Sequence, residues 1–447
     1  MANPNSAPTA SEEPLVGVVC TDLAAVARGR FVASKNLERI AKTGIGWLQA
    51  NICLTAFNSI ADPNPWGARG DLRMLPDLRA RYRTTATGNP TPFDLVFGDI
   101  VELDGTPWTC CTRTMLRKAL ADLEAATGST LLASFEQEFQ IFGANLPVTH
   151  ALSYEALRNS NPFAPRLMAA LEQAGVDPEV VISEFGQDQF EVTCGPSDGI
   201  TAADRCMIIR EITREIARAA GWRASFAPKT SVNGVGNGVH VHFSFRDKNG
   251  APTTYNGDRP GGLSDLAAAF CAGILKHLPA LTALTAPSIP SYYRLKPHHW
   301  SAAYTWLAAQ HREATLRICP VVTIGGRNPA SQYNIEYRAA DAIANPYLVL
   351  TALVRAGLEG INGKLPAPPL VSDDPADMSE EERNRLGLHR LPETLDAALA
   401  ALEKDPVVNG WFDPLLIESF RGVRAAETAR LAGLEPEAIC ELYRARY

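Results

Sequence analysis

Several stretches of the chain alternate apolar with ionisable residues, and side chains two apart share one face of a β-strand. In 131–142, Phe135, Phe139 and Ile141 fall on one face while Glu136, Glu138 and Gln140 fall on the other. In 239–245, Val239, Val241, Phe243 and Phe245 alternate with His240, His242 and Ser244, and in 335–339 Ile335 and Tyr337 alternate with Glu336 and Arg338. Each pattern predicts a strand with one buried and one polar face. A fourth segment, 184–191, begins with Glu184 and ends with Glu191, and Gly186 and its polar neighbours predict a turn that brings the two ends together.

Between 15 and 112 the pattern is one of short strand-like runs divided by turn signals at Gly70-Asp71, Pro76-Asp77, Gly88-Asn89-Pro90 and Asp104-Gly105, which predicts a small α+β domain. A helix over 113–127 opens a larger region, 113–447, in which strand patterns recur between helices at 202–220 and 263–283. A Pro- and Asp-bearing loop, 365–379, sets off a C-terminal helical section. Residues 1–14, rich in Ala, Ser, Asn and Pro, read as a disordered arm without the basic and apolar regions of a secretory signal.

The composition, 46% hydrophobic and 20% charged, is that of an ordinary globular protein. No uninterrupted apolar run approaches the ~18 residues of a membrane span, so no membrane partner is expected. The net charge of -7, without a Lys/Arg cluster, excludes a nucleic-acid footprint. Nine cysteines are scattered without C-x-x-C spacing, only Cys110 and Cys111 being adjacent, as suits reduced thiols in a cytoplasmic protein.

Taken singly, each polar face reads as the solvated side of a sheet. Taken together they imply more. If the faces meet, Glu136, Glu138, Glu184, Glu191 and Glu336 line one cavity with at least one imidazole and a guanidinium, and their mutual repulsion calls for divalent cations. Carboxylate oxygens favour Mg²⁺ or Mn²⁺ over Zn²⁺, and such ions are commonly shared with phosphate. Arg294, Arg312, Arg317 and Arg338 add groups suited to bidentate capture of phosphate or carboxylate. Phosphoryl transfer is the chemistry this set predicts. There is no Walker-type loop, and the glycines of 233–238 lead into a strand, which disfavours a P-loop or Rossmann nucleotide site.

The motifs Phe135-Glu136-Gln137-Glu138-Phe139, Gly186 to Glu191, Phe226-Ala227-Pro228-Lys229, Gly236 to His242, Arg294-Leu295-Lys296-Pro297, Arg312 with Arg317, and Asn334 to Arg338 followed by Asp341 and Asn345-Pro346-Tyr347 resemble, in order and spacing, the glutamine synthetase superfamily. The likeness spans nearly the whole chain after residue 14, Gly70 to Asp77 included. It implies a β-grasp-like N-terminal domain (15–112), a larger α/β catalytic domain (113–447), and a homo-oligomer, a double ring with active sites between subunits. It also implies site roles. Glu138, Glu184 and Glu191 would hold one metal ion and Glu136, His240 and Glu336 a second; Arg294, Arg338 and the backbone at Gly236 would bind glutamate; Arg312 and Arg317 would face phosphate, and His242 would contact ATP. The implied reaction phosphorylates the γ-carboxylate of glutamate and lets an amine displace phosphate from the acyl phosphate.

The departures from the family pattern carry their own expectation. Ammonia-using members close the site with a flap glutamate, and counting from Arg294 that position is Trp300, which cannot accept a proton but offers a large apolar surface. The N-terminal aspartate of the ammonium pocket corresponds to Asn58. The expected nucleophile is therefore a substituted amine packed near Trp300, as in the γ-glutamyl-amide ligases, with a monoamine or aromatic amine favoured over a polycation that would seek carboxylates. The family's Asn before the strand glycine falls on Val235, with Asn233 or Asn237 as substitutes, and a nucleotide-contacting Arg falls on Asn334. Two other readings stand beside this one: an ammonia-using synthetase, against which Trp300 speaks, and a non-catalytic relative, against which the intact metal-ligand set speaks. A metal-dependent hydrolase outside the superfamily would have no need of the arginines.

Overall fold

The computed structural model describes residues 14–447, so the expected arm at 1–14 lies outside the described residues except for Pro14. Five strands form the first sheet: β1 (Leu15–Thr21), β2 (Ala27–Ala33), β3 (Ile45–Leu48), β4 (Asp71–Thr84) and β5 (Phe93–Val101). Their order is β2-β1-β5-β4-β3, with β1 and β5 parallel at the centre and every other pairing antiparallel, the β-grasp-like arrangement. Pro76-Asp77 is not a turn. It lies inside β4 where the register against β5 breaks between Pro76 and Arg81, and a proline without an N–H is tolerated at such an irregularity.

Nine strands form the second sheet: β6 (Ser129–Phe142), β7 (Pro178–Ser183), β8 (Gln189–Cys194), β9 (Ser197–Asp198), β10 (Arg223–Ser225), β11 (Val239–Asp247), β12 (Leu307–Ala309), β13 (Leu316–Ile318) and β14 (Ile335–Tyr337). The main path runs β12-β13-β14-β11-β6-β8-β7, and β9 and β10 pair with the ends of β6. The apolar face of this sheet is buried as the alternation predicts: Phe135, Phe139, Ile141, Val241, Phe243 and Phe245 are at most 2% exposed. Helices Thr112–Thr127 and Gly199–Ala219 pack on β6, and Phe270 of helix Asp265–Thr285 sets its ring against Phe243 and Phe245. At ~1.5–3 kcal/mol for each fully buried large apolar side chain, this face commits the opposite, polar face to a single side of the sheet.

Helix boundaries follow the capping chemistry. Asp198 accepts the N–H groups of Ile200 and Thr201, so that helix starts earlier than the apolar periodicity alone indicates. Ser264 accepts the N–H of Ala267 and starts the next at Asp265. That second helix, Asp265–Thr285, is the one among the described residues long and apolar enough to cross a membrane, and most of its surface is covered by the rest of the fold, as for a core helix.

Candidate active site

The register of the second sheet assembles the polar residues into cross-strand rows. Arg317 on β13 stands opposite Glu336 on β14, and Glu336 opposite His242 on β11. His240 on β11 stands opposite Glu136 on β6, and Glu138 on β6 opposite Glu191 on β8. Directly opposed side chains project to the same face. Strand alternation and antiparallel pairing thus place seven of the predicted residues in one field, and the turn after β7 adds Glu184. That turn is closed by hydrogen bonds from Glu184 N–H to the Gln189 carbonyl at 2.8 Å and from Gln189 N–H to the Gly186 carbonyl at 3.1 Å.

His240 is the meeting point of the two predicted metal-ligand sets. Its Nδ1 lies 3.1 Å from Glu136 Oε2 and 3.3 Å from Glu336 Oε1, and its Nε2 lies 3.9 Å from Glu138 Oε1. Ligand atoms of Glu136, Glu191 and His240 all lie within 4.8 Å of one another. Charge confirms the crowding. Burial and then the neighbouring Glu136, Glu138, Glu184 and Glu336 push the Glu191 carboxyl up to about 9, and burial and Glu138 raise that of Glu184. For Glu336, burial is outweighed by His240, Arg338 and His242, which hold it at about 2. Burial likewise opposes ionisation of Glu136, but His242 and His240 bring it well below the usual carboxylate range; in return Glu136 lifts His242 well above an ordinary imidazole in spite of burial. A field of carboxylates in which one is forced to keep its proton is a field short of positive charge, and divalent cations fit it.

The arginines present a complementary deficit. Glu336, 1% exposed, is gripped by Arg317 Nη1 at 2.7 Å on one oxygen and by Arg338 on the other. Arg294 donates Nη2 to the Ala340 carbonyl at 2.7 Å. The Nε atoms of Arg294, Arg317 and Arg338 are buried without a partner, as is His242 Nε2, which lies 3.1 Å from Glu136 Oε1 but out of hydrogen-bond line. Buried donors left unpaired are costly and point to anionic acceptors such as carboxylate or phosphate. Arg312 is exposed, and its charge acts on Glu184. Gly236 and Gly238 make room for Arg294: a Cβ at Gly236 would stand 2.7 Å from Arg294 Cγ, and one at Gly238 would stand 2.9 Å from His240 Nε2. Of the asparagines near that glycine, Asn237 is spent on structure, accepting from Gln189 Nε2 at 2.9 Å and donating to the Ala227 carbonyl at 2.8 Å.

Two predicted residues stand apart from the charged field. Asn58 accepts from Arg28 Nη1 at 3.3 Å and donates its N–H to the Thr55 carbonyl at 3.2 Å, so its partners belong to the N-terminal domain and not to the carboxylate cluster. Trp300 is 59% exposed and meets Phe185, itself 55% exposed, edge to face with ring centroids 5.5 Å apart. Phe185 follows Glu184 directly, so the aromatic pair borders the carboxylates. The backbone of Trp300 is pinned from both sides, its N–H by Glu313 at 2.5 Å and its carbonyl by Arg338 Nη2 at 3.0 Å.

Phe185, Glu313 and Cys319 were not legible as site residues from the sequence. Phe185 stands in a turn and Cys319 after a short strand, and neither follows a periodic pattern; Glu313, beside Arg312, reads as half of a local charge pair until the fold brings the 297–301 loop over it. Cys319 Sγ lies 3.6 Å from His242 Nδ1 and 3.8 Å from Glu336 Oε2.

Residues 7–108 match the glutamine synthetase N-terminal domain and residues 109–441 the glutamine synthetase catalytic domain. The chain is 35% identical to a gamma-glutamylpolyamine synthetase of Streptomyces coelicolor over 95% of its own length and 92% of the relative's. It is 31% identical to a glutamate–methylamine ligase of Methyloversatilis universalis, covering 80% of this chain and 82% of that one. A solved structure described as a novel glutamine synthase homolog superposes with a TM-score of 0.90 at 41% identity, over 99% of this chain and 100% of that chain.

Proposed function

The chain belongs to the glutamine synthetase family and is an ATP-dependent carbon–nitrogen ligase, and from that premise we propose that it joins the γ-carboxylate of glutamate to a substituted amine, a monoamine or aromatic amine in preference to ammonia. The relatives named for polyamine and methylamine ligation support a γ-glutamyl amide as product. The observation that carries the choice of amine is the exposed Phe185–Trp300 pair beside Glu184, Trp300 being the residue that, counted from Arg294, corresponds to the family's flap carboxylate. Two rings at 5.5 Å offer a hydrocarbon substituent an apolar wall and offer a bare ammonium ion little beyond their π-faces.

In this reading Glu138, Glu184 and Glu191 would hold one Mg²⁺ or Mn²⁺, and Glu136, His240 and Glu336 a second. Such ions, when bound, neutralise the charge of the phosphate oxygens. Arg294 and Arg338, with the backbone at Gly236, would orient glutamate; their buried Nε donors match a carboxylate partner. Arg312 and Arg317 would face the transferring phosphoryl group and His242 the nucleotide. The γ-carboxylate takes the γ-phosphoryl group of ATP as ADP leaves; the amine nitrogen then attacks the acyl carbon, loses a proton, and inorganic phosphate departs. Assembly as a double ring would let a neighbouring subunit bring its own Asn58 to this site, which accounts for the position of Asn58 away from the cluster of its own chain.

A polyamine acceptor is the second reading, favoured by the name of the Streptomyces relative and by a polar recess that Glu184, Asp188 and His150 line beside Phe185. The test is phosphate release from ATP with Mg²⁺ and glutamate, comparing ammonium, ethanolamine, isopropylamine, putrescine and aniline. Higher kcat/KM for isopropylamine or aniline is expected. Preference for ammonium would refute the substituted-amine assignment, and preference for putrescine would move it to the second reading.

A further inference from the structure

His242, Cys319 and Glu336 converge on one point at the polar face of the second sheet. Their ligand atoms lie within 4.8 Å of one another, with Cys319 Sγ 3.6 Å from His242 Nδ1 and 3.8 Å from Glu336 Oε2. Tetrahedral zinc with bonds of about 2.0–2.3 Å separates its ligands by roughly 3.5 Å, so these spacings need little adjustment. Asn334 Oδ1 lies 2.8 Å from the same Nδ1 and would have to draw back from it to serve as a further oxygen ligand. The far nitrogen of His242 lies 3.1 Å from Glu136 Oε1, so a small rotation of the ring would let that carboxylate orient the imidazole as a ligand. The sulfur is 8% exposed as part of its residue, and Glu336 is 1% exposed, so the set is built into the fold and not assembled at the surface.

We propose that His242, Cys319 and Glu336 form a thiophilic metal site that takes Zn²⁺ or Co²⁺ in place of the hard ions of the ligase reaction and thereby inhibits it. A thiolate selects softer ions, whereas Glu136, Glu138, Glu184 and Glu191 with His240 offer mostly hard oxygens. Binding expels the thiol proton of Cys319 and the Nδ1 proton of His242 to solvent. Inhibition follows from what the ion displaces: Glu336 Oε2 is also the acceptor of Arg317 Nη1 at 2.7 Å, so an ion on that oxygen breaks the Arg317–Glu336 pair and draws Glu336 away from His240. The inhibitory consequence rests on the proposed ligase reading; occupancy of the site does not.

Cobalt reports the two parts separately. Chelator-stripped protein titrated with Co²⁺ is expected to develop a saturable near-ultraviolet thiolate-to-cobalt charge-transfer band, and Cys319→Ser, checked for an unchanged circular dichroism spectrum, is expected to lose it. No band in the unaltered protein, or the same band in Cys319→Ser, overturns the site whatever the enzyme's activity. In the presence of saturating Mg²⁺, the Zn²⁺ concentration for half-inhibition of phosphate release is expected to rise at least ~10-fold in both Cys319→Ser and Cys319→Ala, the least that loss of a ligand costs in affinity. An unchanged value in a protein that has lost the cobalt band overturns the inhibitory role.

Discussion

The carboxylate of Glu313 accepts the backbone N–H of Trp300 at 2.5 Å and also that of His298 at 3.1 Å. Both loop residues adopt the left-handed backbone region, with φ of 52° at Trp300 and 60° at His298, which a side chain makes unfavourable. Glu313 therefore holds a strained loop in the shape that presents the indole, while Arg338 holds the Trp300 carbonyl from the other side.

Glu313→Ala is accordingly expected to release the loop. Hydrogen bonds to a charged group contribute about 1.5–3 kcal/mol, so kcat/KM for the amine should fall by ~10- to 100-fold, mainly through KM. Initial-rate kinetics with the amine varied and ATP saturating check this. An unchanged amine KM would show that the loop keeps its shape without the carboxylate.

The aromatic pair gives a second expectation. Phe185→Ala and Trp300→Ala each remove one wall of the same apolar surface, and their effects on kcat/KM for an aryl or branched alkyl amine should couple by about 0.5–1.5 kcal/mol. A double-mutant cycle measures the coupling, and the same cycle with methylamine should show less. Additive losses would leave the two rings acting independently, without a shared ligand.

How far the sequence led is visible in these residues. Glu136, Glu138, His240, His242, Glu336 and Arg338 were legible because strand alternation has a period of two and the apolar residues between them had to be buried. Glu191 and Arg317 were named from the 184–191 turn and from the set of arginines, and the register of the assembled sheet is what sets them in cross-strand rows with the others. Glu313 and Phe185 lie in loops whose course depends on distant packing, and no periodicity marks them. Pro76-Asp77 shows the opposite failure: a strong local turn signal overridden by a strand that continues through it with a break in register.

The carboxylate cluster sets the third expectation. With Glu191 driven up to about 9 by burial and by its neighbours' charge, Gln is a near-isosteric stand-in for its protonated form, so Glu191→Gln should leave the metal-free melting temperature at neutral pH unchanged. It should also weaken the response to metal. Mg²⁺ or Mn²⁺ at 100 times its dissociation constant stabilises the unaltered protein by about 2.7 kcal/mol, an upward shift in melting temperature that calorimetry resolves. An equal shift in Glu191→Gln would remove this residue from the ligand set.

The last expectation concerns the seam between the two sheets' domains. Arg113, in the first turn of helix Thr112–Thr127, donates to Asp99 Oδ1 at 2.9 Å and Asp77 Oδ2 at 3.2 Å in the N-terminal domain and to both oxygens of Asp204, at 3.0 and 2.9 Å, in helix Gly199–Ala219. Tyr347 donates to the same Asp204. Arg113 and Asp204 are nearly fully buried, so Arg113→Ala would leave the Asp204 carboxylate uncompensated and should cost about 3–5 kcal/mol. Asp77 adds a pH dependence. Burial opposes its ionisation, but hydrogen bonding by Arg79 and the charge of Arg113 outweigh it and hold the carboxyl at about 2. A folded-state value below that of the unfolded chain, ~3.9, means that Asp77 stabilises the fold above that pH and loses its contribution as pH falls towards 2. Denaturant unfolding of the unaltered protein and of Asp77→Asn between pH 5 and 2 should therefore converge at the acid end, with the variant the less stable at pH 5. Parallel curves across that window would show that Asp77 does not couple the seam to protons.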